Sequence, residues 1–323
     1  MTDALALAAA NLTSVSVLVF ALGFVAARLK SDIRIPDPVY QVISVYLLFG
    51  IGLKGGVALH HSGGAGVVPP ALMTLVLGAL VPTLAFLLLG RLRGLGQLDR
   101  GAIAAHYGST SLVTFTAALV YLENATEPYE GFVTTLLTIM EIPGIIVGIL
   151  LATRHLSQHV SWGESLREIV LGKTVLLLVG GLLVGVATGD AGYAKVAPFF
   201  VDLLPGVLAL FLMHLGALAG QRIGAIRQVG PGLAVFALTF PVLSGTLGVV
   251  GGHLVGLSVG GATVLGVLCA SASYIAAPAA VQIALPSANP SLSITASLGV
   301  TFPFNLLVGI PLLHAISQAV GAM

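Results

Sequence analysis

Two short stretches, Gly108-Ser109-Thr110-Ser111 and Ser271-Ala272-Ser273, interrupt long apolar runs at places 162 residues apart. Their spacing returns elsewhere. Ala117-Ala118 recurs as Ala279-Ala280, Pro128 as Pro290, and Ile51-Gly52-Leu53-Lys54-Gly55-Gly56 as Leu215-Gly216-Ala217-Leu218-Ala219-Gly220, all at offsets of 162–164 residues. Four blocks in order, offset by about half the chain, define an internal repeat.

The runs around these blocks are too apolar for a water-soluble surface. Of 323 residues, 57% are hydrophobic and 8% charged, and the mean hydropathy is +1.07. A soluble domain carries about 25% charged residues, so the missing polar surface must face lipid. Apolar segments cover approximately 5–27, 38–59, 67–90, 101–122, 130–153, 168–189, 196–219, 231–256, 259–284 and 291–319. Each is near the roughly 20 residues that cross a bilayer as helix. The expected fold is therefore an all-α integral membrane protein of ten transmembrane helices. The first repeat spans 1–160 and the second 161–323. Met1-Thr2-Asp3 lacks the basic start of a cleaved leader, so the first segment is expected to remain as a helix.

Orientation follows from Lys and Arg, which cytoplasmic loops retain. Arg28, Lys30 and Arg34 follow segment 1; Arg91, Arg93 and Arg100 follow segment 3; Arg154 and Arg167 follow segment 5, with Lys173 just beyond; Arg222 and Arg227 follow segment 7. Loops after even segments are nearly free of basic residues, Lys195 being the exception, and hold His60-His61 and the acidic Glu123, Glu127 and Glu130 instead. Both termini are thus expected outside a plasma (inner) membrane. With five spans per half, the second repeat enters upside down, which is the inverted-repeat plan of secondary transporters.

That plan places a ligand site where interrupted helices 4 and 9 meet near the bilayer midplane. The candidate substrate-binding residues are Gly108, Ser109, Thr110, Ser111, Ser271, Ala272 and Ser273. Broken helices would turn N-terminal N–H groups toward a small anion and C-terminal carbonyls toward a cation such as Na+. The same small residues would also serve simply to pack helices closely. Ionisable or polar residues within spans add candidates. Glu141, in Met140-Glu141-Ile142-Pro143, reads as a cation ligand, a proton carrier or a paired carboxylate. Lys54 could complement an anion, pair with Glu141 or snorkel toward the surface, and Asn305 sits near the place that the repeat matches to Glu141. Thr114, Glu141, Tyr274 and Asn305 form the candidate ion-binding set. His106, His214 and His253 read as packed or hydrogen-bonded, His60-His61 as an outer-surface pair, and Asp202 as a helix-start residue.

Several classes are excluded or left without support. A net charge of +1 gives no footprint for nucleic acid. Cys269 is the lone cysteine, so there is no disulfide framework or cysteine metal site. No His-Glu-x-x-His, Gly-x-Ser-x-Gly or phosphate-binding Gly-rich loop occurs, so an enzyme is not expected, and neither is a cofactor.

From about residue 35 to the C-terminus the chain resembles the sodium-dependent bicarbonate permeases. The element Leu285-Pro286-Ser287-Ala288-Asn289-Pro290-Ser291 is similar to the family's Pro-Ser-Ala-Asn-Pro-Ser run. Ile35-Pro36, Ile51-Gly52-Leu53 with Gly55-Gly56, Met140-Glu141-Ile142-Pro143 and Arg222-Ile223-Gly224 match as well. The resemblance implies Na+-coupled import of bicarbonate, a homotrimer, and a substrate site at the interruptions of segments 4 and 9. The chain departs from the family at the site. It has Ser111-Leu112-Val113-Thr114 where a Ser-Gly-Ser-Thr run is usual, Tyr274 in place of an aspartate, and Leu218 in place of a glutamate. The loop at 154–167 is shorter than in family members that bind a PII-like regulator. The expected function is bicarbonate import with Na+. The alternatives are transport of another small anion or monocarboxylate with Na+ or H+, and a non-transporting anion sensor, against which the short cytoplasmic loops speak.

Overall fold

The structure, a computed structural model, describes residues 10–31, 33, 35–62, 65–154, 162–222 and 226–322. Arg34, Ile223, Gly224, the loop residues 155–161, the division between residues 160 and 161, and the start of the first apolar segment lie outside the described residues. So does the side chain of Arg227.

No strand occurs among the described residues. In chain order the helices are α1 (Val15–Arg28), α2 (Asp37–Ser62), α3 (Val68–Leu89), α4 (Gln97–Gly108), α5 (Leu112–Asn124), α6 (Val133–Thr153), α7 (Trp162–Leu171), α8 (Lys173–Ala197), α9 (Leu204–Arg222), α10 (Ile226–Leu254), α11 (Val259–Ala270), α12 (Ala276–Ala284), α13 (Pro290–Ile294), α14 (Phe302–Phe304) and α15 (Ile310–Gly321). Wider π-helical turns over Thr295–Thr301 and Asn305–Gly309 join the last three into one rod. Side-chain caps mark several starts: Ser14 on α1, Ser111 on α5, Ser258 on α11 and Asn289 on α13 each accept from a first-turn N–H. Such a cap supplies about 1 kcal/mol.

Among the described residues, seven stretches are long and apolar enough to cross a membrane: Asp37–His61, Val68–Leu89, Gln97–Asn124, Val133–Thr153, Lys173–Arg222, Gly230–Leu254 and Pro290–Gly321. α1 and α11 are shorter apolar helices. The 50 residues of Lys173–Arg222 would reach about 75 Å if straight, more than twice the roughly 30 Å hydrocarbon core. They do not run straight. At Gly189 (φ 53°, ψ −156°) the chain adopts a conformation open only to glycine. Before it, Gly181 lies against Phe49 and Gly189 beside His60, so α8 ascends with α2. After it, Phe200 lies under Gly50 and Phe211 stacks on Tyr40 at 5.0 Å, so the chain descends again.

The apolar pattern around segment 6 misplaces one start. Residues 168–171 belong to α7, a separate amphipathic helix, because Gly172 (φ −60°, ψ 148°) breaks the chain before α8.

Packing sorts the helices into two groups. α1 lies along α9 and α2 along α8. Small residues permit this: Gly23 meets the backbone of Met213, and Gly56 meets that of Leu182 and Gly185. The second group brings α3, α4 and α6 together, and α10, α11 and the α13–α15 rod. Within this group α4 and α6 approach closely. Gly144, Gly148 and Ala152 on α6 face Gly108, Ala105 and Gly101 on α4, and a Cβ at Gly144 would overlap the Gly108 carbonyl. Without a hydrophobic force between helices in lipid, contact of this kind is what holds them.

Two polar latches tie the halves. The Glu130 carboxylate accepts from the Ser258 N–H at 2.7 Å and from its hydroxyl at 3.1 Å, at the start of α11. Asp99, in the first turn of α4, accepts from the Asn289 N–H at 2.7 Å.

Candidate functional site

Both interruptions foreseen in the sequence are breaks in helix. Residues 109–111 separate α4 from α5, with Ser109 (φ −91°, ψ 169°) and Ser111 (φ −107°, ψ 111°) extended. Residues 271–275 separate α11 from α12, beginning with Ser271 (φ −82°, ψ 163°). The broken segments cross in contact. The Ser111 N–H donates to Ser271 Oγ at 3.0 Å. The Ser273 N–H donates to the His106 carbonyl at 2.7 Å, and His106 Nδ1 returns a bond to the Ser273 carbonyl at 2.7 Å. This reciprocal pair makes His106 a clasp between the crossing strands. Extended backbone in a membrane interior needs such partners.

Hydroxyls settle the new helix ends. Ser111 Oγ accepts from the Thr114 N–H at 3.2 Å and lies 3.2 Å from Tyr274 Oη. Ser273 Oγ accepts from the N–H groups of Ala276 and Ala277, each at 3.2 Å. Thr110 Oγ1 donates to Glu141 Oε2 at 2.6 Å. The Gly144–Gly108 contact puts Glu141 there, three residues before Gly144 on α6, and the carboxyl side chain is only 2% exposed.

A small cavity lies beside the crossing, walled by Thr110, Ser111, Glu141, Ser273 and Tyr274 together with the first residues of α5 and α12, Leu112 and Ala276. The structure thus gathers five of the candidates on one surface. Ser109 is fully buried beside the Glu141 carboxyl. Gly108, Ser271 and Ala272 form the backbone of the crossing behind the cavity. Thr114 is buried within α5. Asn305 is off the cavity: its Nδ2 donates to the Ala270 carbonyl at 2.8 Å and so closes the C-terminal end of α11. Thr174 on α8 also lines the cavity, and no sequence block pointed to it.

Other ionisable residues lie elsewhere. Lys54 does not pair with Glu141. Its Nζ lies 3.4 Å from Glu123 Oε1, with both side chains substantially exposed, a pair contributing about 0–1 kcal/mol. Tyr129 donates to the same carboxylate at 2.8 Å. Burial, and then Glu123 itself, hold the Tyr129 hydroxyl above the ordinary tyrosine range, so it remains a donor. His61 pairs with Asp190 at 2.7 Å on an exposed surface. His214 packs against Tyr40, and His253 bonds to Ser317. Asp202 is in a π-helical turn, Pro198–Asp202, ahead of α9.

Apolar spans, no strand among the described residues, and two broken helices crossing beside a cavity with hydroxyls and a carboxylate in its wall are the architecture of a multi-spanning membrane protein. The sequence model of the Na+-dependent bicarbonate transporter superfamily matches residues 16–318, and the chain belongs to that superfamily. A comparison with curated proteins found no match.

Proposed function

We propose that the chain is a secondary active transporter that imports bicarbonate together with Na+ through the crossing. The observation that carries this reading is the cavity set between the N-terminal ends of α5 and α12 with Glu141 in its wall. First-turn N–H groups carry partial positive charge and favour an anion. Hydroxyls of Ser111, Ser273 and Tyr274 add neutral donors.

The carboxylate supplies the coupling. Two negative charges about 4 Å apart repel by about 4 kcal/mol at an effective dielectric near 20, close to three powers of ten in affinity. An ionised Glu141 therefore opposes the anion, and a cation on it removes the opposition. Cation first and anion second is then the favoured loading order. Superfamily membership supports Na+ and bicarbonate as the pair.

Tyr274 favours a second reading. With a phenol where the permeases have an aspartate, the cavity wall holds a single carboxylate, which a proton neutralises as well as Na+ does. Another small anion or a monocarboxylate, moved with Na+ or H+, fits that wall. A sensor that binds an anion without moving it is the reading left if no flux occurs.

The same proposal takes the chain as ten passages in two inverted repeats, 1–160 and 161–323. Support comes from pairing. Exchanging the halves converts the α1–α9 contact into the α8–α2 contact, and converts the latch at the start of α11 into the latch at the start of α4. A plasma-membrane position with both termini outside follows from the Lys and Arg distribution, and a homotrimer from the family likeness. Only residues 154–161 join α6 to α7, and so short a connection offers a PII-like regulator little to hold.

The test is uptake of labelled bicarbonate into proteoliposomes with and without an inward Na+ gradient. Accumulation that requires Na+ is the expected result. Accumulation under a pH gradient alone would select the second reading, and no flux from folded protein would overturn transport of bicarbonate.

A further inference from the structure

The cavity at the crossing is not symmetric about its polar wall. On one side it meets leucines. Leu137 precedes Glu141 by one turn of α6, Leu178 follows Thr174 by one turn of α8, Leu112 opens α5, and Leu48 closes the flank. All four are buried, none more than 5% exposed. This side faces the end of the molecule where Lys54 meets Glu123, because α5 runs from the crossing to Glu123 and Thr134 of α6 packs on Gly55.

On the other side there is space. A second cavity, of about 180 Å³, is lined by Glu168 of α7, Lys173 and Thr174 of α8, and Ala279 of α12, and it shares Glu141, Thr174, Ile275 and Ala276 with the first. The two spaces therefore abut along Glu141 and Thr174. α7 packs on α12 and forms the far wall.

We propose that this second cavity is the route by which the anion passes between the crossing and the side of the membrane where α7 lies, and that Thr174 is the residue it passes last on leaving the site. The proposal rests on transport through the crossing and adds its path and direction of opening. Thr174 suits the place. It sits at the meeting of the two helix groups, on α8, so movement of α8 relative to α6 and α12 changes the gap between Thr174, Glu141 and Ala276. Its hydroxyl can replace water around a small anion where the two cavities meet, where Ile275 and Ala276 offer none. Lys173, one residue out, is the cation in this wall and offsets the repulsion that Glu168 exerts on an entering anion. The leucine side has no such chain of polar groups. An anion there would lose hydration without a substitute, so that side is shut in this conformation.

The experiment uses the single-cysteine economy of the chain. Cys269, buried in α11, is replaced by alanine, and single cysteines are placed by Thr174→Cys, Leu178→Cys, Glu164→Cys and Thr126→Cys. Glu164 and Thr126 are exposed, on α7 and on the loop after α5, and report which face of a sealed vesicle each belongs to. A charged, membrane-impermeant methanethiosulfonate is applied to one face at a time. Thr174→Cys should be labelled from the face that labels Glu164→Cys, and not from the face that labels Thr126→Cys. Leu178→Cys, one turn deeper, should stay unlabelled. Modification at Thr174→Cys should stop labelled-bicarbonate uptake.

Labelling of Thr174→Cys from the Thr126 face only would overturn the route. So would no labelling of the native protein when the denatured protein labels fully, or equal labelling of Leu178→Cys and Thr174→Cys. The labelling pattern needs no flux. Failure of bicarbonate uptake with the expected pattern would thus defeat the substrate reading and leave the route standing.

Discussion

At the scale of single residues, Glu141 and Tyr274 give the cavity wall its carboxylate and its phenol, and the proposed transport turns on them. Glu141 has one oxygen satisfied by Thr110 at 2.6 Å and is the carboxylate in the cavity wall. Glu141→Gln keeps the shape and an acceptor oxygen but removes the charge that, in the proposed loading order, repels the anion and attracts the cation. Stimulation of uptake by Na+ should fall by about 10-fold or more, the equivalent of at least 1.4 kcal/mol, while exchange of labelled for unlabelled bicarbonate across the membrane persists. Unchanged Na+ stimulation would return Glu141 to a purely structural role. Much of this wall was legible in the sequence because its residues recur at one offset: Thr110 and Ser111 lie in one interruption, Ser273 in the other. Thr174 was not legible. It comes from α8, whose approach to the crossing depends on the packing of α2 against α8 and leaves no mark in spacing. Of the readings open for Lys54, the structure agrees with snorkelling: the side chain reaches Glu123 at the surface and not Glu141, a direction that a span position in the sequence does not give.

At the scale of helices, the breaks matter less than the contacts that aim them. α4 is held to α6 by Gly144 and Gly148 against Gly108 and Ala105, and that contact sets the Glu141–Thr110 distance. Gly148→Leu inserts a branched side chain where even a Cβ would meet the Ala105 backbone. Overpacking of this kind costs about 1–3 kcal/mol or more. The purified variant should melt several degrees lower in detergent and bind Na+ poorly, since α6 must move away from the crossing. A melting temperature equal to that of the parent would show that the close approach is not needed. The sequence points to breaks in segments 4 and 9, between α4 and α5 and between α11 and α12, because small polar runs recur there at one offset, although the same residues also suit close packing of unbroken helices. It also separates the stretch after Lys173 into two spans, ending the first at residue 189 and starting the second at 196, and the reversal falls at that boundary, on the backbone conformation of Gly189. The start of the first of these spans is less legible: Glu168-Ile169-Val170-Leu171 reads as span, and only the bend at Gly172 assigns it to α7.

At the scale of the whole molecule, the halves are interleaved rather than adjacent. The chief partner of α1 is α9 and that of α2 is α8. The clasp of His106 with Ser273 and the latches Glu130–Ser258 and Asp99–Asn289 all join residues more than 120 positions apart. If the divide near residue 160 is a true repeat boundary, residues 1–160 and 161–323 made as separate chains in one cell should find each other and restore uptake, and neither alone should give a stable product. Stable accumulation of the first chain by itself would contradict the interleaving. The α1–α9 and α2–α8 pairs also bear on biosynthesis. When the ribosome has delivered the first five segments, Gly23 and Gly56 face lipid, with the helices that will cover them not yet made. The nascent protein must wait in the bilayer as loosely associated rods until α8 and α9 arrive. During that interval quality-control proteases have their best opportunity, so substitutions along these two seams should reduce yield in the cell well before they disturb the finished carrier.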